Sequence, residues 1–398
     1  MTPKKILLMA NDVTLAHLGR PLQLATLLHS DGHTVCLAAS AESARFLGGF
    51  PGRVITLAPT GKALFIENLA KGRPVFDYAT LQRFTEEDEA ILAAEKPDLV
   101  IGDFRITLSI SARRQQVPYA TLTNAYWSPA FSPRFIVPDL PMVKYLGVGI
   151  SQLLFDLARP AAFAFHARPM NKLRRHYGLP SLGPDLRRIY TDADLALFSD
   201  IPEFYGITGD LPGGTFLGPL CWSPDVALPP WWNELNPNQP VIYITLGSSG
   251  DTNLLAPLLE RLANINAQLV VASAGAQGIE TRGNIFCADY LPGNVAAARA
   301  ELVICNGGSP TCFQALAEGV PVLGIPGNLD QFLNMHYLEK GATGLTLRRT
   351  DLSGPVVAAT VNRLLTTSSF HTNASHMAEL IARHTPATRI RQILATGI

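Results

Sequence analysis

A glycine pair followed by hydroxyl side chains is the feature of this sequence best suited to bind an anion. Residues 306–315 read Asn-Gly-Gly-Ser-Pro-Thr-Cys-Phe-Gln-Ala and follow an apolar run at 302–305, a pattern that predicts a strand, a tight turn and a helix. Glycine lets the backbone approach a ligand closely, and the N–H groups that open a helix attract negative charge. Ser309 and Thr311 add hydroxyl donors. A Gly-Gly turn alone is equally consistent with a plain strand-to-helix connection.

An imidazole and a carboxylate each follow an apolar run in the first third of the chain. His17 comes shortly after the run at 5–9, and Asp103 comes directly after the run at 98–102. A histidine can remove a proton from a hydroxyl nucleophile at neutral pH, and a buried carboxylate can orient the imidazole. The pair therefore predicts general base catalysis. The alternative is that both side chains only cap the elements that follow them.

Short apolar runs alternate with helical spacing of apolar residues in both halves of the chain. The first half has runs at 5–9, 34–38 and 98–102, and the alternation restarts at 241–246 with a run that ends in Gly-Ser-Ser-Gly. Strands separated by helices predict an α/β fold, with parallel sheets covered by helices on both faces. Ligands of such sheets bind at the C-terminal ends of the strands.

The length of the chain predicts two domains. A single core seldom grows past about 250–300 residues, and the chain has 398. Its middle is rich in Pro, Gly and Trp, which is typical of a linker. We predict an N-terminal domain at 1–215, a linker at 216–240, a C-terminal domain at 241–380, and a final helix at 381–398 that returns to the N-terminal domain.

Composition excludes some classes of partner. Lys and Arg together number 32, as do Asp and Glu, so the chain has no overall basic field for nucleic acid. Five scattered cysteines without metal spacing are typical of a reducing compartment, and we expect a cytoplasmic protein. The segment at 145–167 is too interrupted by polar residues to span a bilayer. It could still present an apolar face to lipid, so peripheral membrane contact is left open.

The glycine turn belongs to a longer pattern that resembles a known family. Residues 302–334 contain Asn-Gly-Gly-Ser-Pro-Thr, then Glu-Gly-Val-Pro, then Asp-Gln. This order and spacing resemble the donor signature of the glycosyltransferase family that includes plant UDP-glucose transferases and bacterial macrolide and rhamnosyl transferases. The resemblance covers nearly the whole chain. It implies the GT-B fold, with two Rossmann-like domains facing each other across a cleft.

The resemblance implies a nucleotide-sugar donor, such as a UDP- or dTDP-sugar, on the C-terminal domain. It places the diphosphate at the glycine turn and its hydroxyl side chains, with a second loop also touching phosphate. It places the nucleobase against a Tyr-Leu-Pro segment and the donor sugar on an acid-amide pair. The residues implied in these roles are Gly307, Gly308, Ser309, Thr311, Gly247, Ser248, Ser249, Tyr290, Leu291, Asp330 and Gln331.

Two positions depart from the pattern of the resembled family. Asn306 stands where the family commonly has a phosphate-binding His, and an amide carries no positive charge. Gln314 stands where a Glu commonly accepts hydrogen bonds from the ribose, and an amide oxygen accepts less strongly than a carboxylate. Both remain in the predicted donor site. The departures leave open which nucleotide and sugar are used, and whether activity is redirected or impaired.

On the acceptor side, the resemblance implies that His17 is the general base and that Asp103 orients it. The acceptor oxygen would attack the anomeric carbon opposite the nucleotide, a one-step inversion for which we expect no metal and no cofactor besides the donor. Asn124, Tyr126 and Trp127 follow another apolar run and are predicted either to line an acceptor pocket or to belong to the core.

We expect a small-molecule acceptor, and the apolar helical stretch at 131–165 is consistent with a hydrophobic or lipidic one. The same stretch is equally consistent with domain packing. Two alternatives remain at this point. One is an epimerase of the same fold that acts on a nucleotide sugar without an acceptor. The other is a non-catalytic homologue that only binds a sugar nucleotide.

Overall fold

The computed structural model describes residues 2–397, which form two parallel β-sheets covered by helices. The strands are β1 (Lys5–Ala10), β2 (Thr34–Ser40), β3 (Arg53–Leu57), β4 (Leu99–Asp103), β5 (Tyr119–Thr123), β6 (Leu195–Phe198), β7 (Gly214–Phe216), β8 (Val241–Thr245), β9 (Gln268–Ala272), β10 (Ile285–Ala288), β11 (Leu302–Cys305), β12 (Val322–Gly324) and β13 (Gly344–Thr346). The helices are α1 (Leu15–Ser30), α2 (Lys62–Ala70), α3 (Tyr78–Glu95), α4 (Leu108–Arg114), α5 (Pro141–His176), α6 (Leu186–Tyr190), α7 (Leu255–Leu262), α8 (Gly293–Ala298), α9 (Ser309–Ala317), α10 (Leu329–Lys340), α11 (Gly354–Thr366), α12 (Ser368–Arg383) and α13 (Pro386–Thr396).

The two sheets have separate strand orders. The first is β3-β2-β1-β4-β5-β6-β7 and the second is β10-β9-β8-β11-β12-β13. Neighbouring strands are parallel in both, which confirms the predicted α/β class. Central strands such as β4 and β8 are buried along their whole length, because helices cover both faces and leave no room for polar alternation.

Strand register brings together the loops that carry the predicted chemistry. In the first sheet, Ala10 at the end of β1 pairs with Asp103 at the end of β4. The chain that leaves β1 toward His17 therefore starts beside the carboxylate. In the second sheet, Thr245 pairs with Cys305, so the loop after β8 and the glycine turn after β11 lie side by side. Both pairs lie where the strand order reverses, the usual ligand position in open parallel sheets.

The predicted linker is largely part of the packed structure. Leu217 and Leu220 are buried in the same apolar cluster as α1, and Trp232 packs in the cluster that continues into the second sheet. Pro and Gly are frequent there because the chain turns repeatedly on its way between the sheets, and the tryptophans provide apolar area to bury.

The end of the chain packs on the first half of the molecule. Helix α13 contacts α1, and its residues Ile390, Ile393 and Leu394 join the apolar cluster of the first sheet. An ion pair between Arg391 and Asp31 lies at the edge of this contact. The last residue of the predicted C-terminal segment, at position 398, lies outside the described residues.

Helix α5 is long and is interrupted by residues that do not favour a regular helix. It is 36 residues long and is interrupted at Gly147, whose φ of 72° is not helical. Pro160 and Pro169 lie within it, and proline removes a backbone donor from the helical ladder. Among residues 2–397 no helix combines the length and hydropathy needed to cross a bilayer.

We predict that Ile390→Ala destabilises the protein by about 2–4 kcal/mol, because it removes a fully buried side chain from the contact between α13 and the first sheet. Urea unfolding followed by circular dichroism measures the change. Thr388→Ala, at an exposed position of the same helix, is the control, with an expected change within about 0.5 kcal/mol. Equal effects of the two variants would mean that α13 does not hold to the first sheet in solution.

Candidate active site

A buried carboxylate joins an imidazole and a guanidinium at the end of the first sheet. Asp103 is 0% exposed. Its Oδ1 lies 2.7 Å from Nδ1 of His17 and accepts a 2.8 Å hydrogen bond from Nη2 of Arg20, while its Oδ2 accepts a second 2.8 Å bond from Nε of Arg20. His17 and Arg20 are three residues apart on α1, so the helix places both side chains on the face toward Asp103. The structure thus brings together the predicted pair and adds a cation to it.

Arg20 provides the positive charge of this cluster. Burial disfavours its charged form, but the attraction and hydrogen bonds of Asp103 outweigh burial and raise the pKa of Arg20 above its ordinary value. Its Nη1 also donates to Oδ1 of Asn124 at 3.1 Å. Removing one partner of a buried pair costs about 3–5 kcal/mol, because the other charge is left uncompensated.

The residue after Asp103 adopts a backbone conformation that is rare for its type. Phe104 has a φ of +54°, in the left-handed region that costs a non-glycine residue about 1–3 kcal/mol. Its ring stacks on His17 with centroids 4.7 Å apart and an interplanar angle of 13°. The ring of Phe104 also packs against Phe65 and Tyr190, with ring centroids 6.0 and 5.4 Å apart. The imidazole therefore lies at the edge of an aromatic cluster.

Across the cleft, Asn306 ties together the two loops of the second sheet. Its Nδ2 donates to Oγ of Ser249 at 3.1 Å, and its Oδ1 accepts from the N–H of Gly308 at 3.2 Å. Gln331 supports the same loop through a 3.4 Å bond from its Nε2 to Ser249. The side chain of Gln331 is buried and does not line the pocket. Its position makes Gln331 a support for the loop that follows β8.

A pocket lies between the two halves, over the glycine turn. Its lining combines the start of α1 with the loops of the second sheet, among them these predicted donor residues: Gly247, Ser248, Ser249, Tyr290, Leu291, Asn306, Gly308, Thr311 and Gln314. The backbone N–H of Leu15, at the start of α1, donates to Oγ of Ser248 at 2.8 Å. The pocket therefore joins the loop beside His17 to the loop that begins the second sheet.

Two predicted phosphate-turn residues face away from this pocket. Ser309 is buried, and its Oγ accepts a 2.9 Å hydrogen bond from Nδ2 of Asn124. Gly307 has a φ of +76°, and a Cβ there would lie 2.6 Å from Met335. This glycine is required by turn conformation and by packing against α10. Of the two hydroxyl residues predicted at this turn, Thr311 lines the pocket and Ser309 does not.

Asp330, the carboxylate predicted to bind the donor sugar, accepts hydrogen bonds from side chains of the first half. Oδ1 of Asp330 accepts hydrogen bonds from the hydroxyl of Tyr126 at 3.0 Å and from Nε1 of Trp127 at 2.8 Å. Trp127 in turn packs on Tyr190 with centroids 5.1 Å apart. The predicted acceptor residues are therefore joined by hydrogen bonds to the predicted donor site.

Gln314 and Tyr290 lie at the far end of the pocket. Nε2 of Gln314 donates to the carbonyl of Trp222 at 2.6 Å and to Oγ of Ser223 at 3.1 Å, so its Oε1 is the end of the amide that can accept from a ligand. The hydroxyl of Tyr290 accepts from Arg45 at 2.9 Å.

Sequence reasoning missed two residues that shape the site. Arg20 was overlooked although a charged residue within an otherwise apolar helical pattern indicates a buried ion pair. Trp222 lines the pocket but lies in the segment assigned to the linker. A Cβ on Gly19 would lie 2.7 Å from the indole of Trp222, and this glycine was the available signal for close packing.

The chain contains one Asp-x-Asp pattern, a spacing that can hold a divalent ion. Asp192 forms a two-bond ion pair with Arg113 at 2.7 and 2.8 Å and also contacts Arg174. Asp194 accepts from the backbone N–H of Tyr119 at 2.9 Å. Both carboxylates stabilise the first domain. Among residues 2–397 no cluster of three or more metal-ligating side chains is present.

Solved structures share this architecture over the whole chain. Spinosyn forosaminyltransferase SpnP matches 99% of this chain and 100% of its own, with a TM-score of 0.71 and 19% identity. Spinosyn rhamnosyltransferase SpnG, solved in complex with thymidine diphosphate, matches 98% of this chain and 99% of its own, with a TM-score of 0.69 and 18% identity. The fold is that of the GT-B glycosyltransferases, as predicted.

Curated relatives place the chain in a family. It is 43% identical over 380 residues to a "PGL/p-HBAD biosynthesis glycosyltransferase" of Mycobacterium tuberculosis (strain ATCC 25177 / H37Ra), covering 94% of this chain and 88% of the relative. It is 42% identical over 382 residues to a "PGL/p-HBAD biosynthesis rhamnosyltransferase" of Mycobacterium bovis (strain BCG / Pasteur 1173P2), covering 96% and 85%. Residues 256–396 match the family described as "Erythromycin biosynthesis protein CIII-like, C-terminal domain". The matches over nearly the whole chain show that it belongs to the family of the PGL/p-HBAD biosynthesis glycosyltransferases.

A buried acid beside the site gives stability a pH dependence. Asp200 is 0% exposed, and its Oδ2 accepts from Nδ2 of Asn124 at 3.1 Å and from the N–H of Ala125 at 3.0 Å. Burial raises the pKa of Asp200 to about 6 despite these bonds. The folded state then binds a proton more tightly than the unfolded state, so this group stabilises the fold below its unfolded pKa. The contribution is lost as pH rises through about 6.

We predict that Asp200→Asn removes this dependence, because the amide oxygen can accept the same hydrogen bonds without carrying charge. Between pH 5 and 7.5 the wild type should lose about 1.4 kcal/mol more stability than the variant. Urea unfolding of both proteins at the two pH values measures this difference. Identical pH profiles would show that Asp200 titrates as an ordinary carboxyl group.

Proposed function

We propose that this glycosyltransferase moves a sugar from a nucleoside diphosphate donor to the hydroxyl of a small apolar acceptor, with inversion at the anomeric carbon. The observation that carries the proposal is the hydrogen-bonded His17–Asp103 pair, next to a pocket that Ala16 and Arg20 line together with the glycine turn. A base and an anion-binding loop on opposite sides of one cleft are the two groups that such a displacement needs.

His17 is proposed as the general base. Its 2.7 Å contact with Asp103 favours the tautomer with hydrogen on Nδ1, which leaves Nε2 to accept the proton of the acceptor hydroxyl. The carboxylate and the stacked ring of Phe104 hold the imidazole in place. Because Asp103 also binds Arg20, the charge of the carboxylate is shared, and orienting the imidazole becomes its main contribution.

The donor is proposed to lie in the interdomain pocket with its diphosphate over the glycine turn. Pro310 has no N–H, and the amides of Ser309 and Thr311 open α9 without an intrahelical partner. The hydroxyls of Thr311 and Ser248 lie in the same lining. These donors would stabilise the charge of the departing diphosphate, a step for which we propose no metal. The complex of SpnG with thymidine diphosphate is consistent with a donor of this class.

The acceptor is proposed to be hydrophobic. The imidazole stacks on Phe104, whose ring packs against Phe65 and Tyr190. Trp127 packs on Tyr190 and continues this aromatic cluster toward Asp330. Aromatic surfaces of this kind bind aromatic or lipidic groups and exclude water from the reacting hydroxyl. We further propose that the protein is cytoplasmic.

A transfer assay tests the proposal directly. UDP- and dTDP-sugars are incubated with a panel of phenolic and long-chain alcohols, and release of nucleoside diphosphate is followed together with the configuration of the product. Acceptor-dependent release with inverted product is expected. Isomerised donor without an acceptor would point to an epimerase, and donor binding without any turnover would point to a non-catalytic homologue.

We predict that His17→Ala lowers kcat by about 10²–10⁴-fold, the usual contribution of general base catalysis, while affinity for nucleoside diphosphate stays within about threefold of the wild type. Steady-state kinetics and titration calorimetry measure the two quantities. His376→Ala, a change at an exposed position of α12, should alter neither. Unchanged turnover in His17→Ala would remove this residue from the mechanism.

We predict that Asn306→Asp weakens binding of nucleoside diphosphate by at least about tenfold, because a carboxylate repels the diphosphate and can no longer donate to Ser249. Titration calorimetry with UDP and TDP measures this change. Asn362→Asp adds the same charge at an exposed position of the second half and should leave binding unchanged. Equal affinities of both variants would place the diphosphate elsewhere.

A further inference from the structure

The exposed part of α5 is an amphipathic helix turned outward. After the interruption at Gly147, its large apolar side chains recur at the spacing of one helical face. Ile150 is 55% exposed, Leu153 67%, Leu154 43% and Leu157 80%. Soluble monomers seldom leave a contiguous stripe of this kind in water.

The polar face of the same helix points into the protein. Gln152 accepts from the N–H of Val137 at 2.8 Å and donates to the carbonyl of Phe135 at 2.9 Å. The guanidinium of Arg159 lies over the ring of Phe135, 4.3 Å from its centroid. Gln152 and Arg159 thus contact the protein, while the stretch presents its leucines and Asp156 to the outside.

Helix α2 extends the apolar surface. Leu64 is 49% exposed, Ile66 47% and Leu69 40%, while Phe65 between them is buried in the aromatic cluster that contacts Phe104. Since Phe104 stacks on His17, a single helix separates the exposed apolar surface from the aromatic surroundings of the imidazole.

A cationic groove lies between the two helices. It has a volume of about 990 Å³ and includes the apolar Leu64 and Phe165 in its lining. Four cations and one carboxylate provide its charge: Arg73, Arg168, Lys172, Arg175 and Asp77. Among residues 2–397 none of these cations forms an ion pair within the protein, whereas Lys172 lies over the ring of Tyr78. On a chain with no net charge, this concentration of unpaired cations selects an anion.

We propose that the surface formed by α2, residues 148–165 of α5 and the cationic groove docks on a membrane containing anionic phospholipids. The leucines enter the headgroup and acyl boundary, and the groove binds lipid phosphate, the two components of interfacial binding. A second copy of this chain fits the surface less well, because a two-fold contact would bring the like-charged grooves together. The purpose of the docking rests on the proposed function, since an apolar acceptor would be dissolved in the same membrane.

Vesicle co-sedimentation of the full chain tests the proposal. The wild type should sediment with vesicles of phosphatidylcholine mixed with phosphatidylglycerol, and weakly with phosphatidylcholine alone. Added salt should weaken the binding, because it screens the cations. Absence of binding to the mixed vesicles, or equal binding to both compositions, would overturn the proposal.

Two double variants separate the two components of the surface. Arg168→Gln with Arg175→Gln should weaken binding to the anionic vesicles about fivefold for each cation removed. Leu153→Gln with Leu157→Gln should weaken it at least about tenfold. The matched controls are Arg282→Gln and Leu228→Gln, which are exposed positions outside the surface and should bind as the wild type does. Unchanged binding by either double variant would overturn the proposal.

Light scattering of the same proteins tests whether a second copy of the chain binds this surface instead of a membrane. A dimer of the wild type that the leucine variant dissociates would identify the surface as a contact between copies and would overturn membrane docking. Vesicle binding is measured without donor or acceptor. A failure of the transfer assay therefore overturns the proposed function alone, and a failure of sedimentation overturns the docking alone.

Discussion

The candidate site depends on the burial of one negative charge. Asp103 ends a central strand with no exposure to solvent, and a carboxylate in that position is tolerated only when cations and hydrogen bonds compensate it. Arg20 provides the cation and His17 provides a further hydrogen bond. Since both partners lie on the first turns of α1, the requirement to neutralise Asp103 also fixes the direction in which that helix leaves the sheet.

The same network continues into the other half of the molecule. Arg20 donates to Asn124, and Asn124 donates to Ser309 at the start of α9. A second connection runs from Tyr126 and Trp127 to Asp330. His17, the proposed base, and the glycine turn are thus linked by side chains of fixed geometry, which is the arrangement that a reaction between two separately bound molecules needs.

Much of this organisation could be predicted from the sequence because it follows from local patterns. Alternating apolar runs predicted both parallel sheets, and the family resemblance carried by the glycine turn with Asp330 and Gln331 implied which second-half loops form the site. The structure also shows contacts that local sequence patterns do not predict. Ser309 looked like a phosphate donor, but its hydroxyl faces Asn124, a residue 185 positions away in the chain. Such a contact depends on how the two halves pack, and no short window of sequence contains it.

Arg20 and Trp222 were missed for related reasons. The apolar pattern around Arg20 indicates burial and Gly19 indicates close packing, but neither signal identifies the partner. The burial of Arg20 and Trp222 is decided by partners that the sequence places far away, Asp103 for the first and Gly19 for the second. The outward-facing leucines of α5 show the reverse difficulty, since apolar periodicity indicates a face but not whether that face meets the core.

Trp222 lies in the segment that connects the two halves, and this segment also lines the pocket. Its indole rests on Gly19 of α1 and at the same time lines the interdomain pocket. The backbone that joins the two halves is therefore also part of the surface that encloses a ligand. Because the indole is seated on α1, a rotation of the second half about this segment would change the distance from Trp222 to the second-half loops, and with it the width of the pocket.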